Sequence, residues 1–421
     1  MEKTMSRARL YRLLTVIGVV LLVAGALMWA VRAGHIPAPF LGEHPLRRIY
    51  DLPLFMMIFG AALICVNQYK SHRRGGLLPD LVLSRSSVSH FLTNYAIILA
   101  MLALVVVICI IQPRFMQLRV ALDILTQSST KLIIALGICF TLLIAGTDLS
   151  AGRMVGLSAV ISTSMLQTAT YANRFFPDLP QVSIILPIVL AVLACMVFGA
   201  LNGFLVAKYD MHPFIATLAV MVIVYGACSL YFDMPPNNSQ PIGGVRPDFA
   251  ALGQTKFFVS STPGGFPGIS VLIPIALVIT VIIWFVLNKT VFGKNVYAIG
   301  GNREAAVVAG INVFRTIMGI FILAGMLYGI AGVLEAARTA GATNQYGNGY
   351  ELDAIAACVV GGVSLSGGIG RVSGIVSGVL IFTVIQYGLQ FINVSPMWQQ
   401  VIKGAIIAIA VAIDLTKYRR R

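Results

Sequence analysis

The chain has 421 residues, of which 58% are hydrophobic and 11% charged, with a formal net charge of +15. A mean hydropathy of +0.89 excludes an ordinary soluble domain, and continuous rather than alternating apolar runs of about 20 residues exclude a β-barrel, which leaves a polytopic all-α membrane protein. The positive balance does not point to nucleic acid, since no basic run carries interleaved aromatics; the basic residues sit in short loops, as topology signals do.

Met1 to Arg12 carries Lys3, Arg7, Arg9 and Arg12 ahead of an apolar run from Leu13 to Val31. With no small-residue cleavage site and Arg32 directly after it, this run reads as an uncleaved first span with its N-terminus inside. Leu52 to Val66 is a second, shorter run closed by the basic stretch Tyr69 to Arg74, and residues 75–92, rich in Gly, Pro and Ser, read as a linker. Residues 1–90 are therefore expected to form a membrane hairpin and linker, and residues 91–421 the core.

Ten further spans are predicted: Thr93–Ile111, Leu132–Gly146, Met154–Tyr171, Ile184–Val206, Phe214–Tyr231, Ile269–Leu287, Thr316–Glu335, Ala354–Gly367, Val372–Ile392 and Trp398–Leu415. The total of about twelve puts both termini inside, and most of the 30 Lys and Arg then fall on the inner side, as the positive-inside bias requires. Trp29 and Trp398 stand near predicted outer boundaries. Two stretches strain the count. Leu118 to Thr130 is amphipathic and reads as a half-helix dipping into the membrane. Cys358 to Gly374 holds six glycines, which argues for a broken or re-entrant element buried by protein. That segment echoes an earlier one: Leu149–Gly156 and Leu365–Gly374 share LS[AG]G followed by Arg and Gly, which fits either a duplicated fold or a coincidence in a glycine-rich chain.

The stretch Val291 to Asn312 is the one long polar-flanked break in the C-terminal half with a helix signal of its own. Gly300 and Gly301 predict a turn, Asn302 an N-cap, and Glu304 a first-turn carboxylate favoured by the helix dipole. Ala305, Ala306 and Ala309 give the helix little bulk, and Gly310 supplies its C-cap. Small side chains let a partner's backbone approach closely, so two readings are open: a coupling element through which a separate ATPase pushes, or an ordinary surface helix between spans.

No catalytic or metal-ligating constellation is legible. Gly293-Lys294 lacks the preceding glycine of a nucleotide-binding loop, and HExxH, GxSxG and paired intramembrane carboxylates are absent from the sequence. The six cysteines lie in apolar runs without a CxxC pair, as small packing residues do. The His residues are scattered in or beside loops. Asp148 in GTDLSAGR reads either as an ion site or as the N-cap of the following span with Arg153 snorkelling nearby. Glu335 and Arg338, spaced i, i+3, read as a pair at an outer helix end. The spans otherwise hold uncharged polarity, and Gln127, Ser128, Asp148, Ser150, Asn202, Ser364, Ser366 and Gln386 are the candidates for a solute path. Hydroxyls and amides without fixed charge suit a neutral, hydroxyl-rich solute.

Four segments, Gly146–Val160, Leu201–Gly226, Phe292–Val313 and Glu351–Gly370, occur in an order that resembles the permease subunits of bacterial ABC sugar importers of the ribose, xylose and galactose type. The wording of Leu125–Ser129 and of the ending Ile402–Tyr418 leans toward the galactose and methyl-galactoside branch. The resemblance covers about Thr93 to Arg421 and leaves the first 90 residues without a counterpart. It implies a ten-span core in the bacterial inner membrane, a homodimeric pore and a periplasmic sugar-binding protein. It also implies a cytoplasmic ATPase chain with two nucleotide-binding halves that holds ATP and Mg, so this chain needs no cofactor and is no enzyme. On that resemblance the loop Phe292–Val313 docks on the ATPase. A nucleoside importer permease of related sequence and an ion-coupled carrier acting alone are the competing expectations.

Overall fold

The computed structural model describes residues 18–26, 105–260 and 265–419. The second predicted span, the linker and most of Thr93–Ile111 lie outside the described residues; 18–26, within the first predicted span, are helical. The chain divides into two compact units, Met1–Ala121 with Val384–Ser395, and Leu122–Thr383 with Pro396–Arg421. In the first, a short 3-10 turn at Pro113–Met116 seats Phe115 edge-on against Phe391 at 5.3 Å between ring centroids.

The second unit carries most of the remaining architecture. Helix α1 runs Leu118–Leu143 and α2 Ala151–Met165; α3 spans Ile185–Lys208 and α4 Pro213–Asp233. A short α5, Pro247–Gln254, and a two-stranded ribbon of β1 (Lys256–Phe257) and β2 (Ile269–Ser270) precede α6, Leu272–Lys289. Then come α7 (Val291–Gly301), α8 (Arg303–Val308), α9 (Val313–Thr339), α10 (Tyr350–Val360), α11 (Val372–Phe391) and α12 (Pro396–Arg419). The first turn of α1 and the last turns of α11 belong to the first unit. Among the described residues six of these, α1, α3, α4, α6, α9 and α11, are long and apolar enough to cross a membrane. α1 and α9 are mostly buried within the protein, whereas α3, α4 and α6 leave broad apolar faces for lipid.

The half-helix expected over Leu118–Thr130 is instead the first half of one unbroken helix, α1. Its polar end is absorbed by the helix itself: the hydroxyls of Thr126, Ser128 and Ser129 each donate to the carbonyl four residues back, at 2.7–2.8 Å, so no break is needed. Two elements are shorter than predicted. α2 has 15 residues, about 22 Å at 1.5 Å per residue, and α10 has 11, about 16 Å; neither matches the ~30 Å of bilayer hydrocarbon. α10 stops at Val360 where the glycine run begins, with left-handed backbone at Gly362, Gly367 and Gly368. The chain then doubles back: a β-carbon on Gly378 would lie 2.0 Å from the Ala357 carbonyl oxygen and one on Gly361 2.3 Å from that of Gly374. α10 and α11 therefore meet backbone to backbone.

The centre of the unit is α9 against α3 and α2. Gly199 and Gly203 on α3 face Phe321 and Met318, while Gly325 and Gly329 on α9 face Cys195 and Val192, with 2.4–3.1 Å between the nearest atom and the place of a β-carbon. This is small-xxx-small packing on both partners, which replaces the hydrophobic drive missing inside lipid. Cys139, Cys195, Cys228 and Cys358 are buried and free; the thiol of Cys195 donates to Met154 O and that of Cys358 to Ala135 O, each at 3.2 Å.

Candidate functional site

α7 and α8 are two short consecutive helices, joined at Asn302, that occupy the stretch the sequence marks as a break. The Thr290 hydroxyl caps α7 by accepting the Gly293 N–H at 3.2 Å. Asn302 caps α8, its Oδ1 accepting the Ala305 N–H at 2.8 Å, and Glu304 stands in the first turn. Gly310, at φ +79°, closes the far end with Gly310 N–H on Val307 O and Ile311 N–H on Ala306 O. The turn expected at Gly300 and Gly301 is absent, because both residues belong to the last turn of α7. Gly300 has a different purpose there: the Leu143 carbonyl oxygen stands 1.7 Å, and the Gly368 nitrogen 2.7 Å, from where its β-carbon would be.

That contact ties the pair to the spans. Gly368 N–H donates to Leu143 O at 2.8 Å, and the Tyr297 hydroxyl donates to Gly370 O at 2.9 Å. Arg303 pairs with Asp210 in the connector between α3 and α4. α7–α8 thus touches the end of α1, the α3–α4 connector and the α10–α11 turn at once. On α8, Ala306 is buried while Ala305 and Ala309 are exposed. Val307 and Val308 present their side chains outward, Val308 with 90% of its surface free.

Directly after the end of α1 the connector re-enters the protein and places Asp148 at its centre. Asp148 Oδ1 accepts the Ser150 N–H at 2.9 Å and the Ser150 hydroxyl at 2.6 Å, and Oδ2 accepts the Tyr328 hydroxyl at 3.1 Å. Asn202 Nδ2 donates to Ser150 Oγ at 2.8 Å. Asp148, Ser150, Asn202 and Tyr328 are all buried, so α2, α3, α9 and the connector are held by one continuous relay. Asn202 Oδ1 is buried without a partner, the open end of that relay. Ser150, not Asp148, is the residue that borders α2, and Arg153 turns away to Asn348 and Tyr225. The connector itself is held by Thr217, which accepts the Leu149 N–H and donates to Thr147 O, each at 3.1 Å.

The other candidates lie apart from this centre. Gln127 and Ser128 sit on α1, the latter with its hydroxyl given to Ile124 O. Ser364 and Ser366 belong to the turn beneath Gly300, where Ser364 Oγ accepts the Ser366 N–H at 3.2 Å. Gln386 is on the last turns of α11, in the first unit. Glu335 pairs with Arg338 as expected, at 2.6 Å. It also accepts the Thr130 hydroxyl at 2.8 Å, so the pair fastens α9 to α1. Lys403 of α12 pairs with Asp353 of α10 at 2.7 Å. Tyr328 and Thr217 were not separable in the sequence from other polar residues in spans. Their one signal is setting: Tyr328 lies between Gly325 and Gly329, and its ring needs the missing side chain of Gly137, whose β-carbon would stand 2.6 Å from it.

Residues 120–411 match the family described as the branched-chain amino acid transport system / permease component. The galactose/methyl galactoside import permease protein MglC of Haemophilus influenzae is 48% identical over 341 residues, 80% of this chain and 99% of its own. The protein of the same name from Escherichia coli is 46% identical over 339 residues, with the same coverage. The ribose import permease protein RbsC of Bacillus subtilis is 38% identical over 319 residues, 76% of this chain and 92% of its own. No solved structure matches the chain significantly. With a family match over residues 120–411 and relatives covered almost end to end, the chain belongs to the permease-component family of the branched-chain amino acid transport type.

Proposed function

We propose that this chain is the membrane-embedded subunit of an ABC importer in the bacterial inner membrane that carries galactose and methyl galactosides inward. The observation that carries the reading is the near-complete coverage of relatives named as import permeases for those sugars. The ribose relative shares less identity, so the galactose branch is favoured over its neighbours.

In this reading two copies form the pore, both termini lie inside, and a cytoplasmic ATPase with two nucleotide-binding halves holds ATP and Mg. A sugar-binding protein delivers solute from the outer side. α7–α8 is the docking element: Val307 and Val308 offer an apolar knob, the backbone contact at Gly300 passes its displacement to the connector bearing Asp148, and the Arg303–Asp210 ion pair passes it to the α3–α4 connector. Gln127, Ser128, Asp148, Ser150, Asn202, Ser364, Ser366 and Gln386 remain the proposed polar path. The α10–α11 hairpin is proposed as a re-entrant element in a core of ten spans, with the N-terminal hairpin added to it.

The test is co-purification with the candidate ATPase and binding protein, followed by sugar-stimulated ATP hydrolysis in vesicles. Galactose is expected to stimulate and to compete for uptake, and a purine nucleoside is not. Stimulation by the nucleoside alone would move the chain to a nucleoside importer, and uptake driven by a sodium or proton gradient without ATP would make it a carrier acting alone.

A further inference from the structure

One polar constellation is used neither by the coupling contacts nor by the Asp148 relay. Arg153, in the first turn of α2, lays its guanidinium over the ring of Tyr225 at 4.2 Å to the centroid, and its Nη2 donates to Asn348 Oδ1 at 3.0 Å. Gln345 Nε2 donates to the Tyr225 hydroxyl at 2.8 Å. Glu351 closes the set from the first turn of α10. Its Oε2 rests against Gly152, 2.1 Å from where a β-carbon would be, so the glycine beside Arg153 is what admits the carboxylate.

Three features give this cluster a function. First, two of its charged groups are incomplete: Arg153 Nη1 is buried without an acceptor and Glu351 Oε2 without a donor, although Glu351 is only 8% exposed. Leaving such groups unpaired is costly; both atoms are enclosed here, so a solute that supplies a donor and an acceptor engages them when the start of α2 and the segment leading into α10 part. Second, the cluster lies at depth. Tyr225 is twelve residues into α4 from Pro213, about 18 Å along the axis. The neighbouring Val222 and Ile223 are exposed apolar residues of the kind that face lipid. Gln345 and Asn348 are exposed as well, and exposed amides at that depth require water beside them. Third, the chemistry is balanced. One guanidinium, one carboxylate, two amides and a phenol present planar donors and acceptors with no net charge, the set that fixes the orientation of vicinal hydroxyls on a neutral ring.

We infer that Arg153, Tyr225, Gln345, Asn348 and Glu351 form a water-facing polyol-recognition site on the solute path, formed where the start of α2 meets α4 and the segment leading into α10. The exposure of Gln345 and Asn348 in the single chain is what the structure supplies; the identity of the polyol as a galactose-type sugar rests on the function proposed above.

Two measurements on the full chain, reconstituted with its ATPase and binding protein, decide it. In a cysteine-free background, Gln345→Cys is expected to react with a membrane-impermeant cationic thiol reagent at least ten times faster than Val222→Cys, and galactose during turnover is expected to slow it severalfold. Equal rates, or a spontaneous disulfide between the Gln345→Cys residues of two copies, would overturn the site. In the second measurement, Gln345→Ala and Asn348→Ala are each expected to raise KM for galactose uptake at least fivefold, against no change for Val222→Ala. An unchanged KM in both would also overturn it. If the unmodified complex takes up no galactose, the proposed function fails by itself, and the labelling rates still decide whether this face is wet and which neutral polyol protects it.

Discussion

The carbonyl oxygen of Leu143 occupies the space where a side chain on Gly300 would begin, 1.7 Å from the ideal β-carbon position. A methyl group at 300 must push either the end of α1 or the α7–α8 pair away, because the obstacle is backbone and cannot rotate aside. Gly300→Ala is therefore predicted to cost about 1–3 kcal/mol of stability by overpacking and to lower the sugar carried per ATP hydrolysed. Gly301→Ala, with open space around its β-carbon, is predicted to change neither quantity. Thermal unfolding in detergent and paired transport and hydrolysis assays on the two variants check this.

The exposed tip of α8 provides a separate test. Val308→Arg places a charge on a side chain that is 90% exposed, so folding is expected to be unchanged while the ATPase binds at least tenfold more weakly. Ala306→Arg is predicted to behave differently: Ala306 is 4% exposed, and the substitution should disrupt α8 itself. Pull-down of the ATPase together with limited proteolysis of the permease separates the two outcomes.

Removing the Tyr328 hydroxyl leaves Asp148 Oδ2 buried without its donor. Tyr328→Phe is predicted to destabilise the protein by about 1–3 kcal/mol, the cost of an unsatisfied buried acceptor. Thr217→Val by itself should cause a comparable loss by freeing the Thr147–Ser150 connector. The check is the melting temperature of each variant and of the double variant, whose losses are expected not to add because both act on one connector.

On the loop side, Arg246 donates from Nε to Asp248 Oδ1 at 3.1 Å, and this hydrogen-bonded pairing holds the carboxyl below the usual carboxylate value. A carboxyl depressed in the folded state contributes stability that is present above its unfolded value, near 3.9, and is lost as pH falls through the folded value. Hydrogen exchange in the first turn of α5 is predicted to accelerate only below about pH 4, and Asp248→Asn to remove that acid step. The effect is small, within about 1 kcal/mol, because the Asp248 carboxylate is half-exposed to solvent.

Class and caps were legible in the sequence because they depend on local chemistry. Continuous apolar runs specify helices, and Asn302 and Gly310 delimit α8 wherever the rest of the chain lies. What was not legible depended on neighbours distant in sequence. The turn predicted at Gly300 and Gly301 is helix, since the glycine serves an approach by Leu143, more than 150 residues earlier, that no local pattern records. The half-helix predicted over Leu118–Thr130 is continuous with the next span, because hydroxyls that read as a polar interruption bond within the helix. Of the proposed path, Asp148, Ser150 and Asn202 converge, whereas Glu351 is admitted by the bare Gly152 and Arg153 lies over Tyr225, contacts that no local pattern records.

All of this turns on energy reaching the spans from outside the chain through α7–α8. The most direct measurement is galactose accumulation in vesicles that contain the chain alone, or the chain with its ATPase and binding protein, with and without ATP. Accumulation only in the complete system with ATP, abolished by Val308→Arg, is the predicted result; accumulation against a gradient by the chain alone without nucleotide would contradict it.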